Sequence, residues 1–382
     1  MNLDMIYLDM IYLDHAATTP VKPEALQAAW PWLTSDFGNP SSSHELGHRS
    51  AVALEQARAT VAKFFNVRAS EVTFTSGGTE SDNLAIIGLA LANPRGKHIV
   101  SARTEHEAVL SALDFLERMH DFEISWLELD EFGQVLNFET ALRPDTTLVS
   151  LMIANNEIGT VHDIAHLTNE AHKVGALFHT DAVQAVGWID LDVKKLGVDA
   201  LSISGHKFGA PKGSGVLILR AGAKAEPLIH GGGQESGLRS GTENVAWAVA
   251  IATALELLAP VDEEAQRVAR LRDEFIQKVQ QLVPSAKLTG HPINRSPNIA
   301  SFTLQGVSGE AVLLELERKN VIVSSGSACA AGSDEPSHVL VAIGVETEIA
   351  QTAIRFSLAH ETTADQLDAA AHALAESVAN FI

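Results

Sequence analysis

From about residue 70 to residue 220, short apolar runs alternate with amphipathic stretches. That alternation limits the folds open to this chain more than any other feature. The runs Val72–Thr75, His98–Ser101, Ile124–Leu129, Leu148–Ile153, Leu177–Thr180, Ala200–Ser204 and Gly215–Leu219 read as strands. Between several of them lie Ser81–Leu91, Glu105–Met119 and Asp163–Val174, which read as amphipathic helices. Near-continuous apolar strands must be covered on both faces, so the pattern predicts an α/β domain with a mostly parallel sheet. Ligands in such sheets sit beyond the carboxyl ends of the strands, which makes the residue just after each strand the one to inspect.

The pattern changes near Pro260. A charged helix over Glu263–Leu282 is followed by the loop GHPINRSPN, a strand over Ile299–Leu304, and helices near Gly309–Lys319 and Thr363–Ala379. These elements predict a smaller α/β domain, completed by the first dozen residues. The expected division is residues 15–259 for the large domain, with 1–14 and 260–382 forming the small one. No low-complexity linker separates them, so they should pack closely. At the start, LDMIYLDMIYLDH repeats LDMIY once in tandem. Two copies of five residues do not make a solenoid. The repeat is read as an upstream start or a cloning scar, with the first strand near Ile11–Leu13.

Composition narrows the class of function. A net charge of −21 repels nucleic acid and anionic membranes, so neither is expected as a direct partner. No apolar run reaches the length of a membrane span, and the N-terminus lacks the basic, apolar and cleavage regions of a signal peptide. A single cysteine excludes an intrachain disulfide framework, which together with the missing export pattern points to the cytoplasm.

Three strand ends carry the chemistry. After Val72–Thr75 comes TSGGTESDN, in which Gly77 and Gly78 bring backbone close to an anion and Thr79 opens a helix with free N–H groups. An ordinary strand–turn–helix junction with a capping threonine reads the same way. After Leu177–Thr180 comes Asp181, with Gln184 three residues on. After Ala200–Ser204 comes SGHKFGAPKGSG, where Lys207 stands among small residues behind Ser204 and His206. A desolvated lysine is an amine nucleophile suited to a Schiff base, and a carboxylate on another strand suits a pyridinium nitrogen. Together with the glycine cradle, these residues favour pyridoxal 5'-phosphate.

The lone cysteine, Cys329, lies in SSGSACAAG. This segment has no large apolar neighbour to bury it and reads as an accessible loop, where a reactive thiol or an incidental one would stand.

From YLDHAATTP to IRFSL the chain resembles a cysteine desulfurase of the NifS/IscS type, in the class V aminotransferase group. The strings GNPSS, TSGGTESDN, TEHEAV, NNEIG, HTDAVQ, SGHKFGAPKG, RSGTENV and SSGSAC follow the family's order over nearly the whole length. The form SSGSAC resembles the branch that serves general iron–sulfur assembly. The resemblance implies the aspartate aminotransferase-like fold of pyridoxal phosphate-dependent transferases, with a mostly parallel seven-stranded sheet in the large domain and the cysteine loop on the small one.

The resemblance also implies roles. Lys207 would hold the cofactor as a Schiff base. His106 would stack on its ring and shuttle protons, Asp181 would pair with the pyridinium nitrogen, and Gln184 would bond the ring hydroxyl. Gly78, Thr79, Ser204 and His206 would form the phosphate site, joined by Thr242 from a second subunit of a homodimer. Asn156 would orient ring or substrate, Arg355 would clamp the substrate carboxylate, and Asn39 would be a further substrate contact. L-cysteine would lose its sulfur to Cys329, giving alanine and a persulfide, with His106 or the substrate's amine as base for the thiol. The persulfide would pass to an acceptor protein, such as an iron–sulfur scaffold or a tRNA-thiolation carrier. Selenocysteine lyase, or another class V aminotransferase or lyase, is the alternative reading.

Two departures stand out. Ala359-His360 replaces the usual Gly-Arg, which bears on local packing, and NPSSSHELGH lacks a basic residue after Asn-Pro. The same stretch holds His44-Glu45-Leu46-Gly47-His48, the H-E-x-x-H zinc-protease pattern. Gly47 weakens the helix such a site requires, and no third ligand follows, so no metal is expected. His162 and His166, also four apart, read as a solvated helix face.

Overall fold

A computed structural model describes residues 10–93, 95–325 and 336–381. Its centre is a seven-stranded sheet in the order Val72–Thr75, Gly215–Leu219, Ala200–Ser204, Leu177–Asp181, Thr146–Ser150, His98–Ser101, Glu123–Trp126. Gly215–Leu219 runs antiparallel to both its neighbours, and the run from Ala200–Ser204 to Glu123–Trp126 is parallel. The three strands Thr146–Ser150, Ala200–Ser204 and Gly215–Leu219 are buried along their whole length, as the unbroken apolar runs require. The helix Gly78–Ala92 packs across five of the sheet's strands. Its hydrophobic residues lie almost all round the axis, as expected of a helix closed in on most sides.

Two strand boundaries differ from the sequence expectation. The run 124–129 divides: Glu123–Trp126 joins the central sheet, whereas Glu128–Leu129 pairs antiparallel with Val135–Leu136. The run 148–153 belongs to a strand over Thr146–Ser150, and Leu151, Met152 and Ile153 continue as buried irregular chain. In both cases single backbone bonds still reach the neighbouring strand past the strand's end: Leu127 donates to the Ser101 carbonyl, and Leu151 and Ile153 to those of His179 and Asp181.

The C-terminal elements form a second layer pair. Ala286–Leu288, Ile299–Leu304 and Ala353–Ser357 make an antiparallel sheet in that order, packed beneath the helices Val261–Leu282, Gly309–Arg318 and Ala364–Ala379. Phe275, Phe302 and Phe356 meet edge to face at its core, with ring centroids 4.9–6.4 Å apart. The strand Ile11–Tyr12 pairs in parallel with Val321–Ile322, and Leu13 is buried in the same apolar cluster. The chain's first described residues therefore pack with its C-terminal part. Beyond Leu13, the segment Asp14–Thr19 runs to the edge of the central sheet, where Thr19 bonds the His206 carbonyl. Among the described residues, no single helix is long and apolar enough to cross a membrane.

Candidate active site

Asp181 ends its strand, and the adjacent parallel strand ends at Ser204, so Asp181, Ser204 and Lys207 converge at one sheet edge. They line a cavity of about 340 Å³ with Gly78, Thr79, His106, Asn156, Gln184, His206 and Arg355. Ten of the thirteen residues singled out from sequence therefore meet in one place.

The Lys207 Nζ donates to the carbonyls of Ala16 and Ala17 at 2.5 and 2.8 Å, and Gln184 Nε2 donates to the Ala16 carbonyl at 2.8 Å. The segment Asp14–Thr19 thus holds the lysine at the cavity floor. Asp181 accepts from the Val183 N–H at 2.8 Å, and burial pushes its carboxyl above the ordinary range against the opposing pull of His106 and Lys207. His106 caps the helix Glu107–His120, its Nδ1 accepting from the Ala108 N–H at 3.1 Å. A ring nitrogen that accepts carries no proton, so neutral His106 bears its hydrogen on Nε2. His206 bonds Thr18 Oγ1 at 3.1 Å, and burial, with Lys207 and Lys212 adding, drives its pKa down to about 4. It is therefore neutral at physiological pH.

Arg355 lies in the middle of a strand and is 1% exposed. Its guanidinium donates to the Asn156 carbonyl at 2.9 Å and to Asp14 Oδ1 at 2.7 Å. Opposite it, the helix Gly78–Ala92 begins without any side-chain cap, so its first N–H groups face the cavity. A Cβ at Gly78 would come within 2.9 Å of Val183 and 3.3 Å of Ser204, so this position must be glycine for the backbone to approach so closely. An uncapped helix terminus flanked by Thr79, Ser204 and His206 fits a phosphate. Asp181, 7% exposed, fits a pyridinium nitrogen, and Lys207 fits an aldehyde. The residues present therefore suit pyridoxal 5'-phosphate.

Three singled-out residues stand elsewhere. Asn39 accepts from the Ser41 N–H at 2.9 Å in a turn away from the cavity. Thr242 lines a separate cavity of about 280 Å³ with Ser76, Arg239 and Trp247. Cys329 lies outside the described residues, as do residues 1–9, which hold the first LDMIY and the start of the second. The residues flanking the cysteine segment reach the site: Ser324 exchanges backbone hydrogen bonds with Arg355 at 3.2 and 2.7 Å, and His338 lines the cavity.

The histidine patterns resolve differently. His44 Nδ1 accepts from the Gly47 N–H at 3.2 Å and caps the helix Glu45–Phe64. His162 corrects the solvated-face reading. It precedes the helix Ile164–Lys173, its N–H bonds the Ile153 carbonyl, and it is buried, which drives its pKa to about 4. His166 is exposed. At the Ala359-His360 departure, His360 stacks on Trp188 with centroids 4.0 Å apart and planes 12° apart.

Sequence reasoning missed Asp82, Glu105, Glu157 and His338. Asp82 lies one helical turn from Thr79 on the face that lines the cavity, a spacing visible in TSGGTESDN. Asp82 and Glu105 are buried carboxyls whose desolvation raises both well above the usual range.

Fold and site define a class. The class V aminotransferase profile matches residues 11–370, and the chain belongs to that family, whose members are pyridoxal phosphate-dependent enzymes. Within it, the chain groups with the cysteine desulfurases of the NifS/IscS type. The cysteine desulfurase IscS of Dictyoglomus turgidum is 48% identical over 360 residues, covering 93% of this chain and 91% of its own. That of Methanosarcina thermophila is 45% identical over 360 residues, covering 93% and 89%. A solved structure of a NifS-like protein superposes with a TM-score of 0.89 at 36% identity, covering 98% of this chain and 100% of its own.

Proposed function

We propose that this chain is a pyridoxal 5'-phosphate-dependent cysteine desulfurase that converts L-cysteine to alanine and leaves a persulfide on Cys329. The observation that carries the reading is the convergence of Lys207, Asp181 and the uncapped Gly78 terminus on one cavity with the buried Arg355. Lys207 would attach the cofactor, Asp181 would hold its ring nitrogen, Gln184 its hydroxyl, and Gly78, Thr79, Ser204 and His206 its phosphate. When bound, the cofactor supplies an electron sink that makes the substrate's carbon–sulfur bond cleavable.

The chain's own residues do the rest. Arg355, oriented by Asp14 and Asn156, would bind the substrate carboxylate with its planar guanidinium. Lys207 Nζ moves the α-proton. His106 keeps its ring oriented through Ala108 and presents Nε2 to the site. The Cys329 thiolate attacks the substrate sulfur, forming a sulfur–sulfur bond as the carbon–sulfur bond breaks. Cys329 is five residues from Ser324, and five extended residues span at most about 17 Å.

The finer points follow from the same reading. Thr242 lines a cavity apart from Lys207, which supports a homodimer in which each subunit's Thr242 serves the other's phosphate site. Asn39 would join the substrate contacts in that assembly. One apolar cluster drawn from residues 25–255 and another that joins Leu13 and Trp188 to residues 268–378 support the division into a large domain over 15–259 and a small one from 1–14 and 260–382. The IscS-named relatives support a sulfur-acceptor protein, an iron–sulfur scaffold or a tRNA-thiolation carrier, as partner in the cytoplasm. The test is purified protein given the cofactor and reduced with borohydride, then L-cysteine in a separate, unreduced sample. Cofactor mapping to Lys207 and alanine as product are expected. A keto acid in place of alanine would overturn the reading.

A further inference from the structure

The string RSGTENV entered the sequence reading only through Thr242, yet its first residue, Arg239, reaches the phosphate site of its own chain. The helix Gly78–Ala92 turns its uncapped start to the cavity, and its first turn also carries a carboxylate, Glu80. Such a carboxylate is drawn to the same N–H groups and the same positive helix end that a phosphate would use. Glu80 is engaged elsewhere. Its Oε2 accepts from the Ser76 N–H at 2.8 Å and its Oε1 from Arg239 Nε at 2.9 Å. Ser76 and Arg239 line the Thr242 cavity, whereas Gly78 and Thr79 line that of Lys207. The Arg239 and Glu80 side chains are 26% and 15% exposed, so water screens the pair only in part. Burial pushes the Glu80 carboxyl up, but the hydrogen bonds from Arg239 and Ser76 prevail and hold it below the usual range. It is therefore an anion at neutral pH.

We propose that Arg239 is a positioning residue of the phosphate site, holding the Glu80 carboxylate beside Ser76 and offsetting its charge so that the uncapped N–H groups stay open to an anion. The loop that presents Arg239 is itself anchored. Glu235 accepts from the Phe74 N–H and pairs with Arg58, and the Gly241 N–H donates to Gln234 Oε1 at 2.9 Å. The other carboxylates lining the Thr242 cavity are Glu235 and Glu243. Replacing the Arg239 side chain with a neutral amide leaves those anchors in place. Glu80 then keeps its charge without its cation, and it competes with the phosphate for the helix start. Arg239 touches neither cofactor nor substrate in this account and acts through Glu80 alone.

The inference rests on the cavity being a pyridoxal phosphate site, and one titration separates their failures. Full-length protein stripped of cofactor is titrated with pyridoxal 5'-phosphate and, separately, with pyridoxal, which has the ring and aldehyde but no phosphate. Binding is read from absorbance, with the denaturant midpoint as the control for folding. In Arg239→Gln the dissociation constant for the phosphate ester is expected to rise about 5- to 30-fold, the scale of one charge at a partly buried helix terminus. That for pyridoxal should stay within about twofold of wild type, because the lost interaction concerns the phosphate alone. Adding Glu80→Gln to Arg239→Gln removes the competing charge and should bring the phosphate ester back to within about threefold of wild type. Equal losses for the two ligands, an unaltered constant in Arg239→Gln, or no recovery in the double variant overturns the role of Arg239 while cofactor binding by the wild type still stands. A wild type that does not bind pyridoxal 5'-phosphate overturns both.

Discussion

Replacing Arg355 with lysine isolates what a planar fork does that a point charge does not. The guanidinium is 1% exposed and donates to the Asn156 carbonyl at 2.9 Å and to Asp14 Oδ1 at 2.7 Å. A lysine ammonium reaching the same place cannot hold both partners and a substrate carboxylate in one plane. Losing one charge-assisted hydrogen bond costs about 1.5–3 kcal/mol, which corresponds to a factor of about 10–150 in affinity. A carboxylate clamp acts on ground state and transition state alike, so the loss should fall on KM, with kcat changed much less. The backbone bonds between residue 355 and Ser324 do not involve the side chain, so the strand should survive the change. The assay is alanine production against L-cysteine concentration, with cofactor absorbance as the control for folding. A KM within about twofold of wild type, or a loss confined to kcat, would refute the assignment.

Other outcomes follow from the same geometry. Cys329→Ala should keep the cofactor's absorbance and lose sulfur transfer; full desulfurase turnover in that variant would contradict the thiol's role. Asp181→Asn removes the buried carboxyl at the ring-nitrogen position, so cofactor release on dialysis should quicken, and unchanged retention and absorbance would count against the assignment. Glu235 receives both Arg58 terminal nitrogens at 2.7 and 3.0 Å and also the Phe74 N–H. Breaking one side of such a buried pair in Glu235→Ala should cost about 3–5 kcal/mol in denaturant unfolding, and a loss under about 1 kcal/mol would refute the account. Burial holds His162 and His179 neutral, with pKa values lowered from 6.5 to about 4 and about 3. The unfolded chain binds these protons first, so their contribution is complete above pH 6.5 and is lost as pH falls toward 4. By pH 5 each has lost about 2 kcal/mol of stability, and His179→Gln should flatten the acid limb of unfolding free energy against pH.

Much of this was legible because the central sheet is buried on both faces. Unbroken apolar runs marked all seven of its strands, and the residue after each led to Gly78, Asp181 and Lys207. The errors came at strand ends, where Leu151, Ile153 and Leu127 still bond the neighbouring strand but the chain has left regular extended geometry. His162 was misread because four-residue spacing says nothing about which residue precedes the helix. Asp82 and Glu105 break the rule that carboxyls stay in water, and only the packing of the Gly78–Ala92 helix across the sheet shows that they do. His338 was invisible for a related reason: it reaches the cavity wall through the Glu105 carbonyl, 233 residues away in sequence. Thr242 and Asn39 would act, in the assembly proposed above, through a second subunit, and no pattern within one chain supplies that.

The central claim is that sulfur leaves L-cysteine for Cys329. Its most direct test is the intact mass of the cofactor-loaded protein after brief exposure to L-cysteine without reductant. One added sulfur atom that maps to Cys329, released as sulfide by a thiol reductant and matched by alanine in solution, is the expected result. An unchanged mass with the cofactor in place and no alanine formed would contradict it.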